Sequence, residues 1–80
     1  MLLYARTTVR AKVAEMGITD PNELCRAYIF AHAERLGIIS PWDHADVKRD
    51  KIAAVAGKQV DRMTPIELST FAGELSGRAK

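Results

Sequence analysis

Cys25, His32, His44, Asp43 and Asp46 carry the side chains with metal-ligand chemistry, and their spacing decides what they could hold. A zinc site needs converging donors, commonly supplied as pairs about two to five residues apart. Cys25 and His32 are seven residues apart, and His44 and Asp46 stand two apart, a step that splays side chains around a helix. Neither pattern converges, so no metal and no cofactor is expected. His32 suits a partly buried imidazole hydrogen-bonded to a carbonyl or a carboxylate, and Cys25 a small apolar filler. No local motif orders a nucleophile, a histidine and an acid, and there is neither a phosphate-cradling glycine loop nor a helical pair of acids flanked by aromatics. The chain is also too short to wrap a cleft of ordinary depth, so a non-enzymatic role is expected.

The elements that position these residues are marked by glycines at 17, 37, 57 and 77, a constant step of 20 residues. Gly17 leads into Thr19-Asp20-Pro21-Asn22-Glu23, and Gly37 into Ser40-Pro41-Trp42-Asp43. A third start, Thr64-Pro65-Ile66-Glu67, follows Gly57 after a longer gap. In each, a short oxygen-bearing side chain accepts from the first helical turn, proline sits where its missing N–H costs nothing, and a carboxylate follows three residues past the cap. Gly17 and Gly37 suit left-handed helix ends. The step is helix length plus a tight turn rather than duplication, since solenoid repeats are longer and keep their core positions. The expected fold is all-α, a small compact bundle of four helices over about 3–16, 21–36, 41–56 and 65–75. Residues 1–76 form one domain in this reading, and 77–80 a short basic tail.

Helical periodicity assigns the core. The first helix offers Leu2, Ala5, Val9, Val13 and Met16. The second offers Leu24, Cys25, Tyr28, Ile29, Ala31 and Leu36, with His32 mid-arc and Phe30 on the opposite side between Arg26 and Glu34. The third offers Trp42, Ala45, Ile52, Ala53 and Ala56, with Arg49 laying its stem alongside. The fourth offers Leu68, Phe71, Ala72 and Leu75, with Met63 stapled onto Leu68. Val60 and Met63 pin the loop over 57–63.

Composition narrows the partner class. The chain has 80 residues, 48% hydrophobic and 28% charged, with a net charge of +2 from 12 basic and 10 acidic residues. That excess is small for non-specific nucleic-acid binding, where each phosphate contact needs its own cation. A lone cysteine forms no internal disulfide and fits a reducing, cytoplasmic setting. No apolar run reaches the length of a membrane span and no leader is evident, so no membrane partner is expected.

Residues 12–29 resemble a helix-turn-helix around the Gly17-Ile18-Thr19 turn. The resemblance implies a second helix lying in the major groove, its early residues on base edges. DNA is therefore the alternative partner, although Asp20 and Glu23 would meet the phosphates first. The leading expectation is a regulatory or inhibitory module that occludes or bridges the surface of a partner protein. Once the apolar stripes are assigned, Leu3, Tyr4, Phe30, Val47 and Ile66 remain over, and aromatics on polar faces anchor interfaces. Leu3, Tyr4 and Phe30 are the expected contacts, with Arg6, Arg10 and Arg26 on the rim, which suits a partner with an acidic rim. A homodimer is a further form this surface would support.

Overall fold

The three proline-led starts fare differently in the computed structural model, which describes the backbone of residues 6–78 and the side chains of residues 9–78. Among the described residues the order is α1 (Arg6–Ala14), α2 (Pro21–Arg35), α3 (Ala45–Ala56), a 3-10 turn (Val60–Arg62) and α4 (Pro65–Arg78), with no strand. Over the described residues the chain is an all-α bundle of four helices.

The second and fourth helices begin where the capping chemistry puts them. Asp20 Oδ2 accepts from the Glu23 amide at 3.0 Å ahead of Pro21. At α4 the box closes both ways: the Glu67 amide donates to Thr64 Oγ1 at 3.2 Å, and the Thr64 amide donates to Glu67 Oε1 at 2.9 Å. Met63 lies half-buried against the core, where a hydrophobic staple belongs. The end of α2 is tied off by the Ile38 amide on the Ala33 carbonyl at 2.9 Å and the Gly37 amide on that of Glu34 at 3.1 Å. Gly37 makes this closure possible at φ 78°.

The start at Ser40 departs from expectation. Residues 40–43 close on themselves: the Ser40 amide donates to Asp43 Oδ2 at 2.9 Å, and the Asp43 amide to the Ser40 carbonyl at 3.1 Å. Those bonds use the groups that would have started a helix, and α3 begins only at Ala45, after His44. The stripe assumed for residues 42–44 therefore has no helix to run along. Trp42, expected in the core, is 86% exposed, and Ala45 is exposed too. Ile52 alone of that stripe is fully buried, with Ala53 and Ala56 half-buried. Met16 is likewise corrected to 52% exposed, because α1 ends at Ala14 and a turn follows over 15–17. At the other end α4 runs to Arg78, so Gly77 does not stop it and the described part of the expected tail is helical.

Every other helix packs on α2, and α4 does so most extensively. Ile29 and Ala33 of α2 meet Ile39, Ile52, Val60, Leu68, Phe71 and Leu75 in one buried cluster, while Val9 and Val13 bury the inner side of α1. Burying an aliphatic side chain contributes about 1.5–3 kcal/mol, so this cluster is the main source of stability. Its central position explains why α2 is covered on more than one side. Phe30, placed by periodicity away from the core, packs half-buried against the cluster. Val47 and Ile66, left over in the stripe assignment, are exposed.

Candidate functional site

The end of α1, the following turn, α2 and the start of α3 leave an open groove of about 300 Å³ between them. Met16 and Ile18 line it from the α1 side, Ala27, Phe30 and Ala31 from α2, and Ile39 from beyond the α2 terminus. Charged groups edge this apolar floor. Lys12 Nζ reaches from α1 to Glu34 Oε1 on α2 at 3.3 Å. Arg26 Nη1 bonds Glu23 Oε1 one turn earlier at 3.0 Å. Lys48 of α3 completes the edge and is in no ion pair among the described residues. Three cations and two carboxylates leave the groove slightly positive, with Lys48 the cation not already committed.

Of the expected contact residues, the fold brings Arg26 and Phe30 together on this groove. Arg10 is exposed on α1 but does not line it. Leu3, Tyr4 and the side chain of Arg6 lie outside the described residues. Ile18, Ile39 and Lys48 went unnoticed from sequence because they come from separate elements with no shared period, and Met16 was expected in the core. The one local clue was Gly17 directly after Met16, a stop that pushes the methionine off its stripe.

A second, smaller groove of about 220 Å³ lies between the end of α3 and α4. Ala56, Met63, Ile66 and Phe71 line it, with the Lys58–Glu67 pair at 2.9 Å on its edge. Ile66 is 79% exposed there. Two carboxylates, Glu67 on this groove and Asp43 in the turn ahead of α3, are held below the ordinary range. The Thr64 amide, then the Lys58 ammonium, favour ionised Glu67. The Ser40 amide, then Lys51, do the same for Asp43.

The metal-capable side chains are dispersed. Cys25 is half-buried on α2, His32 is buried and stacks on Tyr28 with ring centres 6.0 Å apart, and His44 is exposed ahead of α3. Among the described residues no group of three or more His, Cys, Asp or Glu side chains is placed to share an ion. Nor is any described helix long and apolar enough to cross a membrane.

The segment resembling a helix-turn-helix forms α1, a six-residue connection over 15–20, and α2. A helix-turn-helix uses a turn of about 3–4 residues and needs its second helix projecting from the domain. Here that helix is the central one, and Arg26 near its start is tied to Glu23. Compared with protein-family models, curated proteins and solved structures, the chain matches none.

Proposed function

We propose that this protein is a non-enzymatic regulatory or inhibitory module that acts by covering or bridging a surface on a partner protein. The groove over the outer side of α2 is its seat in this reading. The observation that carries it is the groove's make-up: apolar Met16, Ile18 and Phe30 line it together with charged Lys12, Arg26 and Lys48. Interfaces that bind tightly place a few apolar anchors at the centre and polar groups at the rim. Met16 is already half out of the fold, so its burial by a partner adds hydrophobic stabilisation that folding has not used. Lys48 favours a partner that brings a carboxylate to that edge. A lone, half-buried cysteine is compatible with a reducing cytoplasm, where we place the protein.

The DNA alternative has less physical support, because the helix that would read bases is the central one, packed on by every other, and opens with acids. The test is affinity capture from the native host by the wild-type chain and by a Met16→Glu, Ile18→Glu double variant. Neither residue is in the buried core, so circular dichroism and Tm stay near wild type. The reading expects a protein retained by the wild type and lost by the variant. Equal capture by both, or retention of duplex DNA with steep salt dependence, contradicts it.

A further inference from the structure

On α2 the groove follows one face. Glu23, Arg26, Ala27, Phe30, Ala31 and Glu34 all line it, and they recur at steps of three and four residues, the spacing of a single helical stripe. From Glu23 to Glu34 that stripe runs about 16 Å, or three turns. An ion pair stands near each end, Arg26 with Glu23 and Lys12 with Glu34, and apolar Ala27, Phe30 and Ala31 lie between them in the stripe. Met16, Ile18 and Ile39 add apolar surface from the neighbouring segments.

We infer that the occupant of this groove is an amphipathic α-helix of the partner protein, about three turns long, laid along α2 and bringing a carboxylate to Lys48. The inference rests on the groove being the docking seat and supplies the partner's chemistry. Backbone chemistry favours a helix. Among the described residues there is no strand, so no sheet edge awaits an extended chain, which takes its affinity from such main-chain pairing. An extended chain here would need side-chain acceptors for its amides, yet Glu23 and Glu34 already accept from Arg26 and Lys12. A helix arrives with its own backbone bonds made. Proline-rich segments dock on aromatic-lined grooves, and Phe30 is the one aromatic among the described residues that line this one. Charge supplies the rest. Lys12 and Arg26 are paired, and Lys48 is in no ion pair among the described residues, so the groove is left with one unmatched cation. An acid on the flank of the incoming helix matches it.

The experiment is a peptide selection on the full chain. The probe is a random-sequence library of peptides of about 16 residues, a little over four turns, enriched on the wild type and depleted on the Met16→Glu, Ile18→Glu variant. Survivors carry apolar residues at i, i+3 or i+4, and i+7, with Asp or Glu beside them. Their circular dichroism gains helix when the protein is added. Lys48→Glu weakens each about fivefold, the upper size of an exposed ion pair, and changing the peptide's acid to lysine restores binding to that variant. Survivors that alternate apolar and polar residues, are rich in proline or gain no helix overturn the inference, as does binding indifferent to Lys48→Glu. In each of those cases the docking reading stands, because the peptides still depend on Met16 and Ile18. A library that yields no survivor also overturns the inference, and capture from the host then decides the docking reading separately.

Discussion

Thr64 and Asp43 illustrate how much a single side chain decides in this chain. Thr64 receives the Glu67 amide and caps the helix that carries Leu68, Phe71 and Leu75. Thr64→Ala therefore lowers stability by about 1 kcal/mol, read from a urea midpoint shift at unchanged slope. Asp43 and Glu67 have carboxyl pKa values depressed in the folded state. The unfolded chain binds protons first, so the stability these carboxylates contribute is present above the ordinary carboxylate range and is lost as pH falls through their folded values. Tm measured from pH 6 down to about 3 falls, and the combined Asp43→Asn, Glu67→Gln variant shows a shallower fall. Trp42 makes the opposite point. At 86% exposure in its own chain, it leaves the Tm of the monomer within about a degree when replaced by alanine, since exposed substitutions are worth little. Periodicity placed it inside, because a capping pattern cannot reveal whether its bonds will start a helix or close a turn.

At the scale of elements, the helices with strong local signals were legible and the junctions were not. Pro21 behind Asp20, and Pro65 between Thr64 and Glu67, set the starts of α2 and α4 because propensity, capping and dipole agree there. The end of α1 and the start of α3 moved, by two and four residues from those expected, where such agreement was missing. Those two displacements expose Met16, which lines the groove, and Trp42, which does not. Glycines show the same contrast. Gly17 stands at φ 66°, so Gly17→Ala costs about 1–2 kcal/mol of left-handed strain. Gly73 lies inside α4 with open space where a methyl group would go. Gly73→Ala stabilises the protein by up to about 1 kcal/mol, measurable as a raised Tm.

For the whole molecule, the buried cluster around Ile29 and Leu75 satisfies the inner faces of α2, α3 and α4, while the groove beside Phe30 remains open to solvent. Leu75→Ala creates a cavity worth about 2–5 kcal/mol, a large fraction of the stability a domain of this size has. Calorimetry of that variant shows a broad, low transition or none. The fold class and most of the core could be read from the chain, since helical period and burial coincide at Ile29, Ile52, Leu68 and Leu75. The site could be read only at Arg26 and Phe30, because its other walls meet through tertiary packing. The most direct measurement places a photo-activated cross-linker at Met16 in the native host, with exposed Ala54 of α3 as the control position. The account predicts one discrete protein adduct from position 16 beyond any with a second copy, and none from position 54. Adducts with DNA, or indistinguishable labelling from the two positions, would contradict it.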